Sequence, residues 1–251
     1  MIERPLLHTA LDTLLQPERF KDYGPNGLQV EGGARVRKIA SGVTASLAFI
    51  QAAIAEGADT LLVHHGLFWR GQSGCVTGWM RQRLALLLQH NINLFAYHLP
   101  LDAHPELGNN ARLGDALGFV TDGRFGEHQL GFLGTPASSN FADAQTLARH
   151  IETTLQHPVV CVPGHANAIQ RIAWCSGGAQ SYFEAAIAAG VDVFITGEIS
   201  EPQAHYAREC GVSYLACGHH ATERYGAPAV ASHIAAQFGL AHVFLDIDNP
   251  A

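Results

Sequence analysis

The chain has 251 residues, 47% of them hydrophobic and 15% charged, which is enough apolar material for one large core or two small ones and argues against disorder. Its 22 acidic and 15 basic residues give a net charge of −7 with no Lys/Arg cluster. That balance speaks against a duplex nucleic-acid partner and for small or neutralised substrates.

The N-terminal stretch MIERPLLHTALDTLLQPERF carries charges throughout, unlike the apolar core of a signal peptide. No apolar run approaches the ~18 residues that a membrane-spanning helix needs. The five cysteines (Cys75, Cys161, Cys175, Cys210, Cys217) are scattered and form no C-x-x-C pair, so a reduced cytoplasmic chain without a thiolate zinc site is expected.

Further along, residues 38–66 (KIASGVTASLAFIQAAIAEGADTLLVHHG) and 171–199 (RIAWCSGGAQSYFEAAIAAGVDVFITGEI) align without a gap at an offset of 133. The kernel, AAIAEGAD against AAIAAGVD, has six identities in eight positions. Each copy predicts a strand (Ile39–Val43, Ile172–Cys175), then an Ala-rich helix stopped at Gly57 or Gly190, then a second strand at 60–63 or 193–196. Such a β-α-β unit implies a parallel pair with a right-handed crossover. The repeat continues with a helix over about 76–90 and strand 92–98, matched by a helix over about 201–209 and strand 212–218. Between the copies, about 123–165 reads as strand, helix, strand. The expectation is an α/β protein of two internally related halves with three-layer β-α-β units, 1–122 and 123–251, the boundaries approximate.

In α/β sheets ligands collect beyond the carboxyl ends of the strands. Four such ends carry His64-His65-Gly66, His98-Leu-Pro-Leu-Asp102, Gly197-Glu198 and Gly218-His219-His220-Ala-Thr-Glu223. A lone histidine is usually structural, but polar ligand types at four equivalent strand ends reverse that reading. The chain's 15 histidines equal its Lys and Arg together, and histidine is the commonest metal ligand. Adjacent His64 and His65 suit two metals, one apiece, provided the strand bends at Gly66. His219 and Glu223, four apart at a helix start, share a face. Pro100 resists a helix, so Asp102 is expected as an exposed loop carboxylate, with Gly108-Asn109-Asn110 leading into the next helix. Three imidazoles and two carboxylates suit Fe, Zn, Mn, Co or Ni rather than Ca or Mg, with two divalent ions per chain. His98 and Glu198 are candidates for orienting ligands or transferring a proton. P-loop, dinucleotide and nucleophile-elbow motifs are absent, and Cys217 beside His219 is an inferior nucleophile reading.

Taken together, YGPNGLQVEG (23–32), LLVHHGLFW (61–69), AYHLPLDAHPELGNNARL (96–113), TGEISE (196–201) and CGHHATER (217–224) resemble the NIF-three-like (YbgI-type) dinuclear metal-centre family, whose members are often labelled GTP cyclohydrolase I type 2 homologs. The similarity spans nearly the whole chain and is to the short bacterial form. It implies two interlinked α/β domains, a toroidal homohexamer, and a metal pair held at positions matching His64, His65, Asp102, His219 and Glu223. Nothing in the sequence displays a guanine pocket. A dinuclear metal-dependent hydrolase of a small molecule is the first functional expectation, and a non-catalytic metal-handling or scaffold ring is the alternative.

Overall fold

The computed structural model describes residues 1–138, 141–164 and 167–251. They divide into two compact units, Met1–Gly108 with Gly226–Asp248, and Asn109–Tyr225 with Asn249–Ala251. The dividing lines differ from the approximate 122/123 boundary. Strand Phe119–Phe125 belongs with the second unit, whereas helix Gly226–Phe238 and strand Ala241–Phe244 return to the first. The chain thus crosses between the units three times, which sequence periodicity does not report.

In the first unit, strands Lys38–Thr44, Thr60–His65, Asn93–Ala96 and Ala241–Phe244 run parallel, and Gly27–Val30 closes the Asn93 edge antiparallel. One face packs Ala40, Leu61, Val63 and Leu94 against helices Leu47–Ala55 and Gly78–Gln89 through Phe49, Ile50, Ala53 and Leu87. The other packs Ile39, Leu62 and Phe95 against helices Arg4–Leu15 and Gly226–Phe238 through Leu7, Leu11, Val230 and Ile234. The Ala-rich helix therefore packs Phe49, Ile50 and Ala53 on its own sheet.

In the second unit, strands Ile172–Trp174, Val193–Thr196 and Ser213–Ala216 are parallel. Val160–Val162 flanks them antiparallel on one side, and Gly131–Pro136 followed by Phe119–Phe125 on the other. Helices Asn109–Leu117 and Ala144–Leu155 cover one face through Leu113, Leu117, Leu147 and Ile151. On the opposite face Phe183 of the Ala-rich helix stacks on Phe194 at 5.9 Å and meets Tyr214 edge-on at 4.8 Å. The expected strand-helix-strand between the repeats is present as Gly131–Pro136, Ala144–Leu155 and Val160–Val162; residues 139, 140 and 165 of that stretch lie outside the described residues.

The repeat is structural as well as sequential. Ile39 pairs with Thr60 and Ile172 with Val193, and Thr60 pairs with Asn93 as Val193 does with Ser213. Gly57 and Gly190 end the equivalent helices with φ of +68° and +71°. The correspondence extends to the antiparallel edge strands, which the sequence comparison did not detect: Gly32 N–H donates to the Asn93 side chain at 2.8 Å, as Gly164 N–H does to Ser213 Oγ at 3.1 Å. Each unit also uses one aspartate as a clip. Asp59 accepts from the backbone N–H groups of Arg37 at 3.0 Å and Lys38 at 3.4 Å, and Asp192 from those of Gln170 at 2.8 Å and Arg171 at 2.7 Å.

These clips satisfy backbone donors at the start of the first strand of each repeat, so Asp59→Ala and Asp192→Ala are each expected to cost about 1–3 kcal/mol. Urea unfolding followed by circular dichroism measures this; equal loss from both, with metal content unaltered, is the expected result.

Candidate metal centre

Within the first unit, His64 and His65 end the strand Thr60–His65, and His98 follows Asn93–Ala96, its parallel neighbour. The shared sheet edge therefore gathers three imidazoles. Their ring centroids lie 4.5 Å (His64–His65), 4.9 Å (His64–His98) and 5.7 Å (His65–His98) apart, and each ring offers a nitrogen within 4.8 Å of the others. His64 is fully buried.

Asp102 corrects one expectation. Leu99–Ala103 is a short helix, because a proline in the first turn loses only an N–H that would have no helical partner anyway. The helix turns Asp102 inward, where it is 8% exposed with Oδ1 3.6 Å from His64 Nε2. The following asparagines do begin a helix, and both are buried; Asn110 accepts from Ser176 N–H at 2.7 Å, fixing the loop after strand Ile172–Trp174.

Within the second unit, His219 opens the helix His219–Thr222 and Glu223 caps its end. The four-residue spacing brings His219 Nε2 to 3.2 Å from the Glu223 carboxylate, which is 3% exposed. Glu198, beyond strand Val193–Thr196, accepts from His219 Nδ1 at 2.6 Å and from the Gln180 amide at 3.1 Å. His98 and Glu198 thus both stand beside imidazoles. Cys217 is wholly buried, and that burial pushes its thiol far above the usual range, which removes it as a nucleophile.

The histidines share a mode of attachment. His64 donates Nδ1–H to the Tyr97 carbonyl at 3.1 Å, His65 Nδ1 meets Thr44 Oγ1 at 3.0 Å, and His98 and His219 use Nδ1 on carboxylates. Carbonyls and carboxylates only accept, so the Nδ1 of His64, His98 and His219 carries the proton, and Nε2 is the nitrogen that a cation can take. The donor set, imidazole nitrogen with carboxylate oxygen and no thiolate, fits borderline divalent transition ions.

Sequence reasoning missed Asp22. Its side chain is buried, and it holds His98 Nδ1 at 2.7 Å while accepting from Leu99 N–H, Asn26 Nδ2 and Tyr23 N–H. Burial alone would raise its pKa, but His98 and these hydrogen bonds bring it down to about 2. The signal available was the D-x-x-x-N run that encloses Gly24-Pro25, a turn composition that ties carboxylates to nearby backbone. Gly177 was also missed: its φ is +67°, and a Cβ there would lie 2.0 Å from Glu223 Oε1 and 3.2 Å from His219 Nε2.

Gly177→Ala is therefore expected to displace Glu223 and reduce metal binding while leaving the circular dichroism spectrum intact; full metal retention in the variant would contradict this. A second expectation concerns pH. Burial opposes charge on His219, but Glu223 and Glu198 outweigh it and carry the pKa of the metal-free protein from 6.5 up to about 9. A raised native pKa stabilises below the unfolded value and is lost as pH rises through the native one. The urea midpoint of metal-free protein should thus decline between pH 6.5 and about 9, and the decline should flatten in His219→Gln.

The chain matches the family model described as Duf34/NIF3 (NGG1p interacting factor 3) over residues 4–250. It is 53% identical over 243 residues to the GTP cyclohydrolase 1 type 2 homolog of Neisseria meningitidis serogroup B, covering 97% of each chain. It is 48% identical to the protein of that name from Pseudomonas aeruginosa, covering 96% of this chain and 95% of the relative. Among solved structures, protein ybgI, titled as of unknown function, superposes with a TM-score of 0.95 at 43% identity over 100% of both chains. TTHA1606 of Thermus thermophilus gives 0.88 at 34%, again over 100% of both. Sequence and fold agree along essentially the entire length: the chain belongs to the Duf34/NIF3 family.

Proposed function

We propose that the chain is a metal-dependent hydrolase whose centre holds two divalent transition-metal ions through His64, His65, Asp102, His219 and Glu223. The observation that carries this reading is the pairing repeated in each unit: an imidazole held at Nδ1 turns Nε2 towards a buried carboxylate, Asp102 for His64 and Glu223 for His219. Carboxylates and neutral imidazoles of this kind fit Fe, Zn, Mn, Co or Ni. Such ions supply Lewis acidity and bring the ionisation of water towards neutral pH.

The protein's own residues do the rest. Tyr97, Thr44 and Glu198 fix the rings so that little reorganisation accompanies binding. Glu198 is about half exposed at its side chain, so a carboxylate that orients His219 also reaches solvent, as a proton-transfer group must. Five side chains shared by two ions leave coordination positions for substrate and water, which separates a catalytic site from a closed structural one. Amide-, amidine- or phosphate-like centres on a small molecule are the substrate class, and GTP is the first to try because the relatives carry a GTP cyclohydrolase name. The exposed apolar residues Trp79 and Leu88 on one helix support assembly, proposed as a ring of six identical subunits.

Metal analysis of gently purified protein should approach two ions per chain, with Asp102→Ala and His219→Ala each holding fewer at unchanged circular dichroism. Glu198→Gln, saturated with metal, should lower turnover roughly 100-fold or more without loss of metal. One ion per chain, unaltered by His64→Ala, would overturn the dinuclear reading; metal-replete protein inert on GTP and on amide and phosphoester panels would favour a metal-handling role. Light scattering should give a mass near six chains, and a monomer at micromolar concentration would exclude the ring.

A further inference from the structure

His98 shares with His64 and His219 an Nδ1 committed to an acceptor and a place at a parallel-strand end, yet lies outside the five ligands above. Its Nδ1–H is committed to an acceptor, Asp22 Oδ1 at 2.7 Å, as that of His219 is to Glu198 at 2.6 Å. Its Nε2 is left with the lone pair, and its ring is 4.9 Å from that of His64. The internal repeat supplies a second, independent argument. Strand Asn93–Ala96 is the counterpart of Ser213–Ala216, each pairing in the same register with the preceding parallel strand. His98 and His219 follow these strands by two and three residues, and both stand at the start of a short helix, Leu99–Ala103 or His219–Thr222.

The anchor is also out of proportion to a surface histidine. The Asp22 side chain is 2% exposed and accepts four hydrogen bonds, from His98 Nδ1, Leu99 N–H, Asn26 Nδ2 and Tyr23 N–H. Asn26 in turn accepts from His98 N–H at 2.7 Å. Ring and backbone of His98 are thus fixed by the same 22–26 turn. Burying a carboxylate is unfavourable unless such donors surround it, and the result of this arrangement is a single ring orientation and a single tautomer.

We propose that His98 is a sixth metal ligand, binding through Nε2 beside His64 and His65, and that Asp22 is the positioning residue that holds it there. This rests on the metal-centre reading of the preceding subsection. It makes the first unit's set His64, His65, His98 and Asp102, richer in nitrogen than the second unit's His219 and Glu223.

The test is cobalt(II) titration of the full chain, read by the visible d–d spectrum and by competition with a chromophoric chelator. For wild type, two cobalt ions per chain are expected. His98→Gln should weaken one of them by tenfold or more and shift its spectrum. Asp22→Asn should weaken the same ion about 10–100-fold, the usual scale for a partner of a ligating imidazole. The double variant should bind no more weakly than His98→Gln alone, because Asp22 acts through His98. Wild-type affinity and spectrum in His98→Gln would overturn the proposal, as would an Asp22 effect that persists at full size without His98. If Asp22→Asn fails to fold, Asp22→Glu, which keeps the charge but displaces the ring, replaces it: weakened cobalt binding supports the positioning role and wild-type binding overturns it. Failure of the wild type to bind cobalt would instead sink the underlying metal-centre reading.

Discussion

An imidazole can hold a cation only through a nitrogen with a lone pair, so the protein must commit the other nitrogen to something rigid. The strand-end histidines described here meet that constraint in one way, with Nδ1 against a carbonyl, a hydroxyl or a carboxylate. Two of the acceptors belong to the strands on either side of the one that bears His64 and His65: Tyr97 follows strand Asn93–Ala96, and Thr44 ends strand Lys38–Thr44. Ring orientation at the site is therefore inherited from the register of the parallel sheet. A shift of one residue would send alternate side chains to the opposite face, so register decides which way these imidazoles point.

What fixes the register is the same in both units. The aspartate clips at Asp59 and Asp192, the glycine-stopped helices and the antiparallel edge strands recur with equivalent partners. The two copies differ where chemistry is carried: His64 and His65 occupy the positions that Gly197 and Glu198 hold in the second copy. One scaffold thus supplies imidazoles in one unit and an orienting carboxylate in the other, and Gly177 shows how little room the second arrangement leaves, since any side chain there would occupy the space of Glu223.

Much of this was legible in the sequence because the features are local. The β-α-β repeat, the glycine stops and the His219–Glu223 spacing follow from periodicity and residue type, and the observed strands and helices fall within a few residues of those expected. Asp102 was misjudged because Pro100 reads as a helix breaker, whereas in a first turn it breaks nothing. Asp22 was overlooked because its partner lies 76 residues away, and no local pattern announces a hydrogen bond across that separation. The return of 226–248 to the first unit escaped for the same reason: strand Ala241–Phe244 is chosen by its neighbour Lys38–Thr44, not by its own composition.

The central claim is that the Nε2 atoms of the strand-end histidines bind a metal pair. Anomalous-difference density from cobalt-loaded crystals tests it most directly. The account predicts two peaks per chain, about 3.5–4 Å apart, one beside Nε2 of His64 and the other beside Nε2 of His65. Ordered cobalt elsewhere in the chain with none at these imidazoles, or contact through Nδ1, would contradict it.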